Sequence, residues 1–224
     1  MEELHNLFHL PLSEQAFAQF HEVQIYLLSL EHLDALDKWS YIWGSGSFSS
    51  VRAYKHISGF RNIHSAHNWL WKSSCQQKHK IFFWLLIHDR LNTRGLLRRK
   101  NMDLDSYACE LCIVQREESL KHLFFRCSFA RNCWASIGVF YPLHLQPLKI
   151  IERMKTNLSV PFYMEIIIIM SWSIWTQRNN WIFNSVPPTV QGCKEGFKKE
   201  FAMLLHRAKP KYFPQIESWI EQLS

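Results

Sequence analysis

Glycine and proline are scarce in this sequence. Its 224 residues include seven Gly and eight Pro, which excludes a fibrous or loop-rich chain. Apolar residues make up 47% and charged residues 20%, a balance that excludes wholesale disorder. Sixteen Phe, ten Trp and seven Tyr need a sizeable core to bury them. The composition therefore predicts one large globular domain or two small ones.

Recognisable targeting and membrane segments are also lacking. Residues 1–5 are acidic and do not show the basic-then-apolar order of a secretory signal. The most apolar window, residues 166–175, is far shorter than the about 20 residues that span a bilayer. We therefore expect an intracellular protein, nuclear or cytoplasmic, with no membrane partner. In such a compartment the six cysteines are expected to be thiols or metal ligands, not disulfides.

Apolar periodicity predicts a mainly α-helical fold with a short β-hairpin. Trp39, Tyr41 and Trp43 alternate before Gly44, and Phe48 follows the turn, which predicts the hairpin near residues 37–50. The apolar run at residues 81–87 fits a buried strand or a buried helix, and its basic flanks favour the helix. Helices are also predicted over residues 11–31, 51–58, 69–72, 94–100, 118–125, 162–183, 190–208 and 218–223.

Three regions are predicted along the chain. Residues 1–36 form an N-terminal helical segment, residues 37–141 a metal-binding domain, and residues 142–224 a C-terminal helical region. Pro142, Pro147 and Pro161 interrupt the periodicity near the second boundary.

The charged side chains are distributed unevenly along the chain, and the boundaries of the charged segments differ from those of the predicted regions. Residues 52–131 hold fifteen basic and six acidic side chains, a net charge of +9, while residues 1–51 carry −6 and residues 132–224 carry +4. The middle segment is therefore the part that attracts a polyanion.

Four potential metal ligands lie within nineteen residues: Cys109, Cys112, His122 and Cys127. Zinc prefers four sulfur or nitrogen ligands in a tetrahedron, and two cysteines separated by two residues supply one half of such a site. A filled four-ligand site has no open position, so the predicted Zn²⁺ would be structural. The ligands lie close together in the sequence, so we expect a small zinc-binding loop-helix unit. Two alternatives stay open, namely that the thiols are buried without metal and that Cys133 replaces Cys127.

The spacing of the last two ligands constrains the backbone. A step of five residues places His122 and Cys127 about 140° apart on a continuous helix. The helix must therefore end or bend before Cys127 if both side chains are to reach one ion. Ser128 is a suitable cap for a new helix at that point.

Basic side chains also form a row after the apolar run. Arg90, Arg94 and Arg98 are four residues apart, with Arg99 and Lys100 beside them. The row is a candidate for contacting phosphates of RNA or DNA, and the alternative is an ordinary solvated helix face.

Several motifs together resemble the zinc-binding region that follows the reverse transcriptase in plant LINE-type (non-LTR) retrotransposons. They cover residues 37–184 and are densest around the predicted ligands: Trp39, Trp43 and Gly44; residues 50–54; residues 71–73; Lys78, Lys80, Phe82 and Trp84; residues 88–94; Cys109, Cys112, residues 117–119, His122 and Cys127; residues 129–131 and Trp134; Trp172, Trp175, Arg178 and Asn179. Ile113 replaces the glycine that usually follows the second cysteine in that family. We expect the loop to follow another path there, because a β-branched residue resists a left-handed turn.

The resemblance implies a zinc-binding accessory module and not a polymerase. The Tyr-x-Asp-Asp signature of a polymerase is absent, and no order of Ser, His, Asp or Cys indicates nucleophilic catalysis. We therefore expect a non-catalytic domain that takes no small-molecule substrate and binds RNA or DNA. The alternative is a structural or protein-interaction remnant that does not bind nucleic acid.

Overall fold

A computed structural model describes residues 12–30, 39–44, 46–59 and 64–223. The chain divides into two compact units, residues 1–61 and residues 62–224. The domain boundaries predicted near residues 36 and 141 stay predictions.

In the first unit, α1 spans Glu14–Ser29 and α2 spans Ser50–Ser58. The Ser13 and Ser49 side chains accept hydrogen bonds from backbone N–H groups in the first turns, as N-cap residues do. Gly59 ends α2 with φ +68°, a conformation that glycine adopts without strain. The predicted ends of α1 at residues 11 and 31 lie outside the described residues.

The predicted β-hairpin is wrong, because residues 39–44 and 46–50 contain no strand. The Tyr41 and Trp43 rings stack 4.9 Å apart, and Phe48 packs against both. The Gly44 N–H donates to the Tyr41 carbonyl, so the chain turns before the predicted loop. Tyr41, Trp43 and Phe48 therefore form a local ring cluster, whereas Trp39 is 93% exposed. Residues 37, 38 and 45 of the prediction lie outside the described part.

The second unit is helical. Its α-helices are α3 (Ser65–Lys72), α4 (Gln77–Ile87), α5 (Arg94–Arg99), α6 (Ser128–Ala135), α7 (Pro147–Leu158), α8 (Tyr163–Asn184), α9 (Val190–Ala202) and α10 (Phe213–Glu221). A π-helical turn covers His122–Arg126, and 3₁₀ turns cover Met203–His206 and Pro210–Tyr212. The apolar run at residues 81–87 is helical, as its basic flanks indicated.

Helix α8 lies at the centre of this unit. Residues 166–170 are all fully buried, because α4, α7 and α9 pack around them. A helix that is apolar on all sides is buried in this way in a protein core. None of the described helices combines the length and apolar character that crossing a bilayer requires. Helix α9 also contacts α6, so the predicted metal-binding region and the C-terminal helices share one core.

Helix α7 is absent from the predicted helices, because Pro147 predicts an interruption of the helical periodicity there. Pro147 occupies the first turn, where its missing N–H costs no helical hydrogen bond. Ile150, Ile151 and Met154 then face the core and are fully buried. The helix predicted over residues 118–125 is instead the π-helical turn.

Candidate metal centre

A short antiparallel bridge closes the loop that carries the first two cysteines. Ala108 pairs with Glu117, and the Cys109 N–H donates to the Arg116 carbonyl at 2.7 Å. The two ends of the loop are therefore fixed to each other, and Cys109 and Cys112 lie in the short segment between them. This local closure aims both sulfurs at one side of the loop.

Ile113 does not take the left-handed turn that a glycine would. It is fully exposed, and the left-handed residue of the loop is Gln115, with φ +47°. The Gln115 N–H donates to the Cys112 carbonyl, so the reversal occurs two residues later than the family pattern suggests. The expected change of path is therefore confirmed.

The predicted break between His122 and Cys127 is also confirmed. The π-helical turn ends at Arg126, and Cys127 has the extended ψ of 135°. The Cys127 N–H still donates to the His122 carbonyl at 2.7 Å, which keeps the two ligands close. Cys127, and not the predicted Ser128, is the N-cap residue of α6.

Two aromatic side chains satisfy carbonyl groups in the π-helical turn. The Trp134 indole N–H donates to the Phe124 carbonyl at 2.9 Å, and the Tyr141 hydroxyl donates to the Phe125 carbonyl at 3.1 Å. A helix that ends inside a core leaves carbonyls that need such donors. These bonds allow the chain to leave the helix between the two ligands without unpaired buried carbonyls at Phe124 and Phe125.

The ligand atoms of Cys109, Cys112, His122 and Cys127 all lie within 4.8 Å of one another, and all four residues are buried. The Cys109 and Cys127 sulfurs are 3.9 Å apart, and the Cys112 sulfur is 3.4 Å from His122 Nε2. Tetrahedral zinc with Zn–S bonds of about 2.3 Å separates its sulfurs by about 3.8 Å. The cluster therefore fits Zn²⁺ in donor type, in number and in size.

Local groups also favour a thiolate at Cys127. A hydrogen bond from the Cys109 thiol lowers the pKa of Cys127, and the Ala130 and Phe129 N–H groups at the start of α6 lower it further. The same hydrogen bond, together with burial, raises the pKa of the donor Cys109. Cysteine binds a metal ion as a thiolate. The N–H groups at the start of α6 therefore stabilise the form of Cys127 that binds a cation.

Residues 48–134 match the model of a domain family described as zinc-binding in reverse transcriptase. Residues 48–134 therefore have the pattern of a zinc-binding domain of the reverse-transcriptase type. The match covers less than half of the chain. No curated protein and no solved structure matches the sequence.

Arg94 supports the loop of this zinc-binding domain. Its guanidinium donates to the Ser106 and Ala108 carbonyls at 3.2 and 3.3 Å and pairs with Glu110. Only 15% of the side chain is exposed. Arg94, predicted to contact nucleic acid, thus uses its donors within the protein.

The other members of the predicted basic row are more accessible. Arg98 lies 3.7 Å from Glu117, Arg99 lies 2.6 Å from Asp89, and Lys100 donates to the Asn92 side chain. Arg90 is exposed. The two arginine ion pairs neutralise part of the charge that the row would offer to phosphates, and the assignment of these residues to nucleic acid stays a prediction.

Glu118 of the matched segment and Arg178 of α8 form a buried ion pair, and neither residue is among the predicted site residues. Glu118 accepts from Arg178 through both carboxylate oxygens, at 2.7 and 3.2 Å, and from the Arg94 N–H at 2.9 Å. Sixty residues separate the partners, and no periodicity or spacing relates positions that far apart. The only signal was the resemblance, which included both positions without pairing them.

Proposed function

We propose that this protein is a non-catalytic, zinc-stabilised module of retrotransposon origin that binds RNA or DNA. The four-residue cluster holds one structural Zn²⁺, which would join the loop of Cys109 and Cys112 to the turn of His122 and Cys127. Three sulfurs and one imidazole fill a tetrahedral ion, so the site leaves no position for substrate or water.

The non-catalytic assignment is supported by the distribution of potential ligands. Within the described residues, this cluster is the only set of three or more His, Cys, Asp or Glu side chains close enough to share an ion. A polymerase or nuclease that uses two metal ions needs a carboxylate cluster of its own.

The charge distribution carries the assignment to nucleic acid. The segment with a net charge of +9, residues 52–131, lies entirely within the matched residues 48–134. Basic side chains release counterions when they bind phosphates, so affinity for RNA or DNA should decrease steeply with salt.

Fluorescence anisotropy with labelled RNA and DNA oligonucleotides tests this function. We expect log Kobs to decrease linearly with log salt concentration for the zinc-loaded protein. The control is a neutral protein of similar size. Affinity no greater than that of the control, for both RNA and DNA, would reject nucleic-acid binding.

The alternative function is a protein-interaction remnant. Phe140 and Phe183 are 67% and 73% exposed, which favours apolar association. However, Trp172 and Trp175 of α8 pack against the core. Light scattering that shows concentration-dependent association, unchanged by nuclease, together with no oligonucleotide binding, would support this alternative.

A further inference from the structure

A cavity of about 480 Å³ lies beside the zinc cluster, and we call it the arginine pocket. Arg116, Arg126, Arg131 and His144 line it, together with Ser128 at the start of α6. The arginines come from the end of the cysteine loop, the π-helical turn and α6. All three are exposed to solvent, so the pocket opens to the surface.

No carboxylate lines the arginine pocket. Among the described residues, neither Arg116 nor Arg131 forms an ion pair, and the Arg126 Nε donates to the Leu143 carbonyl at 3.2 Å. The basic row on α5 differs in this respect, because Arg94, Arg98 and Arg99 each face a carboxylate. The pocket is therefore the place in this domain where guanidinium groups gather without acidic partners.

The neighbouring metal site accounts for part of this charge. Cys112 and His122 also line the pocket. Zn²⁺ with three thiolates carries a net charge of −1, whereas three arginines carry +3. An excess of about +2 remains for an anion from outside the domain. Guanidinium groups suit phosphate, because their N–H donors match its oxygens in a fork.

We propose that the arginine pocket binds the phosphodiester backbone of the nucleic acid. This inference rests on the proposed function and assigns it to a surface next to the zinc cluster, instead of the basic row that includes α5. Val114 lines the same pocket with 66% of its surface exposed and offers an apolar contact to the sugar. The zinc cluster holds the loop and the helical turn together, so metal binding positions the arginines.

The test compares two variants that each lose three positive charges. The pocket variant carries Arg116→Gln, Arg126→Gln and Arg131→Gln. The matched control, called the α5 variant, carries Arg98→Gln, Arg99→Gln and Lys100→Gln at the C-terminal end of α5. Both are measured by anisotropy with single-stranded RNA, single-stranded DNA and duplex DNA over a salt series, after zinc content and circular dichroism are recorded. A double variant, Arg116→Gln with Arg131→Gln, serves if loss of the Arg126 contact prevents folding.

We expect the pocket variant to bind at least about tenfold more weakly than the wild type. For single strands, the slope of log Kobs against log salt concentration should become less steep by about 2. The α5 variant should change affinity less than about threefold, and inorganic phosphate should compete with wild-type binding. The relative losses for RNA and DNA identify which backbone the pocket prefers.

Three results would overturn the inference. The α5 variant could lose binding while the pocket variant retains it, which would leave the proposed function intact and place binding on the basic row. The pocket variant could lose its zinc, which would show that the arginines stabilise the negatively charged thiolates of the metal site instead of binding nucleic acid. Finally, if the wild-type protein binds no oligonucleotide, the proposed function itself fails.

Discussion

The Arg178 guanidinium holds the Glu118 carboxylate through two hydrogen bonds, and both side chains are almost completely buried. Arg178 belongs to α8, and Glu118 directly follows the bridge that closes the cysteine loop. The Glu118 backbone is also bound, because its N–H donates to Tyr107 and its carbonyl accepts from Gly95. This pair therefore connects the loop of the zinc-binding domain to the central helix.

Replacing one partner of this pair should destabilise the protein strongly. We expect Arg178→Met to reduce the free energy of unfolding by about 3–5 kcal/mol, because Glu118 would stay buried without its cation. Urea denaturation measures the loss. Glu117→Gln is the control, since Glu117 is 53% exposed and lies 3.7 Å from Arg98, and its effect should stay below about 1 kcal/mol. Equal effects of the two substitutions would contradict a buried role for the pair.

The same pair predicts that the matched segment does not fold alone. A fragment of residues 48–134 lacks Arg178 and the other residues of α8 that cover its core. We expect this fragment to show weak helical circular dichroism and no cooperative thermal transition, even with zinc. The full chain is the comparison. A cooperative transition in the fragment would show that α8 is dispensable.

The zinc ligands should differ sharply from the other cysteines. We expect one zinc per chain in the wild type, and Cys109→Ser should lose this zinc together with part of the helical signal. Cys133→Ser is the control, because Cys133 is also buried but lies outside the cluster. Metal analysis of the purified proteins gives the answer. If Cys133→Ser loses the ion and Cys127→Ser keeps it, the ligand set proposed here must change.

Acid should destabilise the protein partly through His79. Burial lowers the pKa of His79 from 6.5 to about 4, and the Glu200 carboxylate offsets this only in part. The unfolded chain therefore binds a proton that the folded protein excludes, and stability decreases as the pH falls from about 6.5 towards 4. His79→Phe should flatten this part of the stability curve, because the phenyl ring can keep the contact with Trp172.

The control for His79 is His206→Gln, at an exposed position. Urea denaturation of the wild type and both variants between pH 4 and pH 7.5 isolates the effect, because the zinc site is common to all three. A His79→Phe curve parallel to that of the wild type would show that this residue does not titrate on unfolding.

Two glycine substitutions should have opposite effects. A Cβ at Gly95 would lie 3.0 Å from the Glu118 carbonyl oxygen, which the hydrogen bond from the Gly95 N–H keeps in place. We expect Gly95→Ala to destabilise the protein by about 1–2 kcal/mol. Gly196→Ala in α9 meets no atom within 4 Å and should stabilise it by up to about 1 kcal/mol. Thermal denaturation compares them, and stabilisation by both would mean that the loop moves freely away from α5.

Local sequence patterns predicted most of the helices. They also identified the four potential metal ligands that the structure brings into one cluster. The seven apolar residues at 81–87 form a helix, because the pattern that predicts it acts within one or two turns. The step from His122 to Cys127 required a break, and the structure has one. Such inferences succeed where the interacting groups are near each other along the chain.

Other features depended on contacts that the sequence does not encode locally. The alternating rings of Tyr41 and Trp43 have the period of a strand, yet they stack on each other. The spacing of Arg94 indicated a binding face, yet its guanidinium supports the cysteine loop. Whether a charged side chain meets solvent or a carbonyl depends on which distant segment lies opposite.

The sequence by itself determined the donor chemistry of the metal centre, the basic character of residues 52–131 and the mainly helical fold. Tertiary structure alone decided which arginines are neutralised and which remain available, since that depends on where each carboxylate lies after folding. It also joined Glu118 to Arg178, because a buried carboxylate must have a cation or donors nearby and the chain supplies them from a helix sixty residues away.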